Sequence, residues 1–183
     1  MFHIKNDKRS QRSAALVVGG LKKCLESKKF EDVTVTDIQK ASTVGRATFY
    51  RLFDRTEDVL AYCCDAGVRR IISELLKSGN PTMKQLHEYM IEYSGIYELI
   101  MASRREHILY NCLYKYKSEI GAIMKTDPSD DNIYFTSILT GIAISVVGAW
   151  INNGRKETAD ELNEYIYGTL GQLCSMYESA KTV

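Results

Sequence analysis

Between Thr34 and Phe53 the sequence TVTDIQKASTVGRATFYRLF carries two apolar helical repeats, separated by Ser42-Thr43-Val44. Each repeat is too brief for an independent helix. A helix of about two turns gains too few hydrogen bonds to offset its nucleation cost, so both need neighbours to hold them. The flanking segments must supply that support, and their pattern is helical as well. Only two prolines interrupt the chain, and strand-like alternation is scarce, so the expected fold is all-α.

The first helix is expected from about Asp7 to Lys29, with Leu16, Val17, Gly20, Leu21, Cys24 and Leu25 forming its inward stripe. Its start is basic (Lys5, Lys8, Arg9, Arg12), which is the wrong sign for a helix N-terminus. Either those charges are solvated or a negative partner sits there. Phe30 and Val33 read as a link packing back onto this helix. Thr34 with Asp37 three residues on has the form of a capping box, and Ile38 and Ala41 face inward after it. The next short helix spans roughly Gly45 to Leu52. On a 3.6-residue period Phe49 and Leu52 share one side, whereas Arg46, Ala47, Tyr50 and Arg51 share the other.

A long helix is expected from Thr56, with Val59, Leu60, Cys63, Gly67, Ile71 and Leu75 inward, ending near Ser78-Gly79-Asn80-Pro81. Further helices follow over about Thr82–Ser94, Tyr97–Arg104 and Glu106–Met124. After a break at Thr126-Asp127-Pro128-Ser129 come Asp131–Asn152 and Thr158–Ser179.

Two short helices joined by a tight turn, the second with an outward Arg/Thr/Tyr/Arg surface, are what a helix-turn-helix requires. The second helix must enter a major groove about 12 Å wide. Gly45 and Ala47 let its backbone come close. Arg46 can bond guanine O6 and N7 as a bidentate pair, and Thr48 and Tyr50 can reach phosphates or a thymine methyl. A solvated helical surface is the plain alternative. The charge distribution agrees with a polyanion-binding module: residues 1–60 carry 12 Lys and Arg against 8 Asp and Glu, and the remainder 12 against 15.

In the C-terminal part, Gly141, Ser145 and Ala149 leave a smooth stripe for a close helix approach. Leu162, Ile166, Leu170 and Leu173 give the last helix a seam. Two such helices suit either a four-helix bundle built by two copies of the chain or ordinary packing within one. Many of the twelve tyrosines fall in this part. Tyr89, Tyr93, Met101 and Tyr110 are the expected lining of an adaptable apolar ligand pocket, with plain core as the alternative. Arg104, Arg105 and His107 either meet an anionic ligand or end a helix.

Catalysis finds no support, since no phosphate-binding loop, dinucleotide fingerprint or zinc-protease motif occurs. No catalytic, cofactor or metal site is expected. His3, His87 and His107 read as lone surface residues. The five cysteines have no metal-ligand spacing and read as mostly buried structural thiols, Cys63 and Cys64 included. The first residues lack the apolar run of a secretory signal. Ile138–Ile151 falls short of the roughly 20 apolar residues of a membrane span. A soluble cytoplasmic protein with no membrane partner is expected.

The stretch VTVTDIQKASTVGRATFYRLFDRTEDVL resembles the DNA-binding domain of the tetracycline-repressor-like (TetR) family of transcriptional regulators. The likeness rests on Thr34 or Val35, Ile38, Val44, Thr48, Phe49, Tyr50, Phe53, Glu57 and Leu60. The segment WINNGRKETADEL is also similar to the approach to the last helix in that family. The resemblance implies a homodimer whose helix-turn-helix domain (residues 1–54) binds double-stranded operator DNA. The helical domain at residues 55–183 would dimerise and take a small-molecule effector, most simply to release a repressor. It implies that Arg46, Ala47, Thr48 and Arg51 face bases or backbone, with Gly45 at the helix start. Tyr50, Thr34 and Thr36 would meet phosphate.

Thr43 stands where the family's turn has Gly, Gly45 where it has Ser, Ala47 where it has Gly, and Thr56 where it has a phosphate-binding Lys; Arg55 is the neighbour able to replace that Lys. These departures leave an alternative: a dimeric adaptor of the same fold that acts through a protein partner, with weak or no DNA binding.

Overall fold

The computed structural model describes residues 1–123 and 133–181. Ten α-helices run through them: α1 (Lys8–Leu25), α2 (Val35–Ser42), α3 (Arg46–Leu52), α4 (Thr56–Lys77), α5 (Met83–Glu92), α6 (Ser94–Ala102), α7 (Glu106–Lys115), α8 (Lys117–Ile123), α9 (Ile133–Asn152) and α10 (Ala159–Lys181). The expected break at Thr126-Asp127-Pro128-Ser129 lies outside the described residues.

The helices form two compact units, one of Met1–Arg70 with Gly95–Lys117, the other of Ile71–Ser94 with the described part of Ser118–Val183. In the first unit α1 lies against α2 with almost no gap. A Cβ at Gly20 would come within 2.7 Å of Ser42 Cβ and 2.9 Å of the Ile38 carbonyl oxygen. Glycine is therefore what lets α1 back the first short helix. Val17 and Leu21 from α1, Ile38 from α2, Phe49 and Leu52 from α3, Phe53, and Val59 and Leu60 from α4 are all buried in this core. The first residues add a strap: Phe2 pairs in an isolated antiparallel bridge with Phe53, and His3 N donates to the Leu52 carbonyl at 2.8 Å. The Phe2 ring meets Tyr62 edge-on, 5.5 Å between centroids.

Farther along the same unit, Cys64 and Cys112 lie sulfur to sulfur beside buried Tyr97. Burial pushes the Cys63 thiol up to about 12, and the hydrogen bond with Cys112 and burial raise Cys64 far above the ordinary thiol range. Thiols held this firmly protonated are poor nucleophiles.

In the second unit Trp150 is buried and its Nε1 donates to the Glu157 carbonyl at 3.0 Å, tying the end of α9 to the approach to α10. Lys84 on α5 reaches Asp160 on α10 at 2.7 Å. Much of α9 and α10 is bare: Ile138, Tyr165, Tyr167, Leu173, Met176 and Tyr177 are each more than half exposed.

Four expectations need correction. The first helix ends at Leu25 rather than near Lys29, and Leu16 is solvent-exposed rather than inward. The expected helix from Glu106 divides at Tyr116, whose backbone leaves the helix while its hydroxyl donates to Asp65 at 3.0 Å. His87 is no surface residue but is buried on the inner face of α5.

Candidate nucleic-acid interface

The two short helices are placed by specific local contacts. Thr34 caps α2 through a complete capping box: Asp37 N donates to Thr34 Oγ1 at 3.2 Å, and Thr34 N donates back to Asp37 Oδ2 at 3.0 Å. Lys28 Nζ donates to the other Asp37 oxygen at 2.8 Å. Lys28 first, then the Thr34 hydroxyl and amide, hold the Asp37 carboxyl far below the usual carboxylate range. A cap of this kind fixes where α2 begins.

The turn is made by Thr43, which sits in the left-handed region at φ 60°, ψ 12°. A β-branched residue is strained there. Its backbone is nonetheless stapled: Thr43 Oγ1 donates to the Ser42 carbonyl at 2.6 Å and Val44 N donates to Ser42 Oγ at 3.3 Å. The Gly that family resemblance leads one to expect at this position is absent, but the conformation that Gly would adopt is present.

The helix α3 starts at Gly45, whose carbonyl accepts from Thr48 N and Phe49 N, both at 3.0 Å. Its inner face, Phe49 and Leu52, is sealed in the core, and its outer face carries Arg46, Ala47, Tyr50 and Arg51 in solvent, with Thr48 half-buried. The Arg46 guanidinium lies over the Tyr50 ring, 5.6 Å from its centroid, and Tyr50 packs edge-on against Phe49 at 5.5 Å. Neither Arg46 nor Arg51 pairs with a carboxylate among the described residues. Arg55 differs: its guanidinium lies 3.5 Å from Glu57 and 3.7 Å from Asp58, so its charge is partly offset locally. Thr36 is exposed and Thr56 half-buried.

Sequence reasoning missed a set of ties within this first unit. Arg105, in the turn before α7, stacks over the Phe30 ring at 5.3 Å and lies 3.4 Å from Glu57 and 3.6 Å from Glu31. His107 Nε2 is 3.4 Å from the same Glu57 oxygen. These residues, open at the sequence level between anion binding and helix termination, thus meet the acidic side chains beside the short helices. Deeper in the unit, buried Asp65 on α4 accepts from Arg69 at 3.1 Å, from Tyr116 at 3.0 Å and from Lys115. Nothing in the sequence separates those acids and bases from ordinary surface charges.

The remaining expected site residues fall elsewhere. Gly141 has nothing within 4 Å of a Cβ position, Ser145, Ala149 and Leu173 are exposed, and Leu162, Ile166 and Leu170 are half-buried. Of the expected pocket residues, Tyr89 and Tyr93 belong to the second unit, and Met101 and Tyr110 to the first. Among the described residues no cluster of His, Cys, Asp and Glu fit to hold a metal occurs, and no helix is long and apolar enough to cross a membrane.

Two short helices locked by a cap, a left-handed turn and a buried inner face define an all-α helix-turn-helix fold. A TetR family model described as "Transcriptional regulator C-terminal region" matches residues 78–172. The fold is similar to that in the crystal structure of Lin0861 from Listeria innocua, with a TM-score of 0.79 at 18% identity, covering 93% of this chain and 96% of that one. No curated protein matches the chain in sequence. The chain belongs to the TetR family of transcriptional regulators.

Proposed function

We propose that this regulator is a cytoplasmic homodimeric repressor that binds operator DNA through α3 and lets go when a small ligand occupies its helical body. The observation that carries the reading is the outer face of α3, where two guanidiniums stand in solvent without a carboxylate partner among the described residues. Exposed cations on a helix this narrow match a phosphate-lined groove, and Ala47 between them leaves room for the backbone to approach. Thr36, Gly45, Thr48 and Tyr50 lie along the same approach. Homodimerisation is supported by the apolar surface that α9 and α10 leave bare, since soluble monomers seldom expose contiguous patches of that kind. A symmetric pair would set its two α3 helices about 34–36 Å apart, one duplex turn. The ties from Arg105 and His107 to Glu57 and Glu31 give a body-to-head connection through which ligand binding would shift the head.

A gel shift on genomic fragments, including DNA upstream of the chain's own gene, tests this. Affinity should fall steeply with salt as counterions are released from neutralised phosphates. Arg46→Ala should lower discrimination between operator and scrambled DNA by about 1–3 kcal/mol, whereas Arg51→Ala weakens all sequences if it meets backbone. A flat salt dependence and unchanged affinity in both variants would leave the protein-binding adaptor as the better account.

A further inference from the structure

Between α5, α9 and α10 of the second unit lies a small crevice walled by Met90, Ile91, Val146, Val147, Trp150 and Leu162, with His87 set among them. Its volume is about 10 Å³, room for one water-sized group. The walls carry no charge, and the Trp150 N–H is already spent on the Glu157 carbonyl. His87 is only 5% exposed, yet its Nδ1 is buried without a hydrogen-bond partner. The Asn163 side-chain amide on α10 interacts with this imidazole, and the Asn163 Oδ1 is likewise buried without a partner. Orphaned polar atoms are rare in folded interiors because each forfeits its solvation. Here two of them, on facing helices, border an apolar crevice.

The chemistry of the two atoms limits what can satisfy both. The amide oxygen only accepts. The buried imidazole is neutral, so its Nδ1 donates in one tautomer and accepts in the other. A hydroxyl is the small group that accepts from Nδ1–H and donates to Oδ1 at once. A carboxylate cannot donate, an ammonium cannot accept, and either would bring a charge into uncharged walls. The wall residues Ile91, Val146 and Leu162 are only half-buried, so their side chains can part to admit an apolar body behind the hydroxyl.

We propose that this crevice is the effector site, and that its ligand is a small neutral amphiphile with a short aliphatic body and one hydroxyl, held by His87 and Asn163. The site deepens the regulator reading and rests on it for the word effector, but the binding event stands independently of DNA.

The test titrates 1-butanol and its isomer methyl propyl ether into the isotopically labelled full-length protein without DNA, following the imidazole nitrogens of His87 by NMR. The alcohol should move the His87 Nδ1 resonance and bind roughly tenfold more tightly than the ether, the scale of one buried hydrogen bond. His87→Phe should erase the preference between the isomers; if that variant does not fold, the wild-type resonance shift decides alone. Equal affinity for the two isomers, or an unmoved His87 resonance under saturating alcohol, overturns the site, as does a bound water that alcohol does not displace. A gel shift is run alongside. Alcohol binding at His87 with unchanged operator affinity overturns the effector role and leaves operator binding intact. Failure to bind any operator without alcohol defeats the regulator reading and the effector role with it, while the alcohol site stands or falls on the NMR result.

Discussion

The head helices and the last two helices spend their apolar residues in opposite ways. Around α2 and α3 every large apolar side chain on the inner face is sealed: Ile38 and Phe49 are 0% exposed and Leu52 2%. What those helices present outward is polar and basic. Along α9 and α10 the large apolar side chains face out, with Met176 68% and Tyr177 66% exposed. The contrast shows that a helix's length says little about where its stability originates. The seven-residue α3 is finished within one chain, whereas the 23-residue α10 leaves its seam unburied.

The contrast is broken or sharpened most strongly by removing one aromatic from each region. Phe53→Ala should destabilise the folded chain by about 3–5 kcal/mol in denaturant unfolding, as expected for emptying a sealed aromatic site. Tyr177→Ala should change the unfolding of a dilute monomer by less than about 0.5 kcal/mol, while weakening self-association in sedimentation equilibrium. A large monomer effect at Tyr177 would mean its face is already covered. Next in size is the turn. Thr43→Gly should stabilise the chain by about 1 kcal/mol, because it relieves a left-handed β-branched residue; loss of stability would show that the Thr43 hydroxyl's bond to Ser42 outweighs the strain.

The smallest effect concerns pH. Burial lowers the His87 pKa, with the Asn163 amide opposing it. The unfolded chain therefore takes up this proton first as pH falls. Stability should be fully retained above the ordinary imidazole value and decline as pH drops below it toward the lowered one. Thermal melts across that window should show the slope in the native chain and not in His87→Phe.

Much of the head was legible because its signals are local. The capping box at Thr34 and Asp37, the turn at Thr43, and the division of α3 between Phe49/Leu52 and Arg46/Ala47/Tyr50/Arg51 all depend on residues within a turn of one another. The start and end of α4 were equally readable, from Thr56 with its acidic neighbours and from the Gly-Asn-Pro stop. The failures are long-range. Tyr116 interrupts a periodic segment because its hydroxyl reaches Asp65 some 51 positions away, and no window shows that. His87 looked like a surface residue because its burial depends on α9 and α10. Arg105 carried charge and nothing to say that Phe30, Glu31 and Glu57 would surround it.

Asp65 has a kinetic consequence. Its partners Lys115 and Tyr116 come from a distant part of the chain, so their closure costs loop entropy before it yields any attraction. Contacts of that span belong late in assembly, and late contacts chiefly set how slowly a structure comes apart. Asp65→Asn should therefore steepen the loss of the native state in the unfolding arm of a chevron while leaving the refolding arm nearly where it was. The buried carboxylate acts as a timer on departure rather than a guide to arrival.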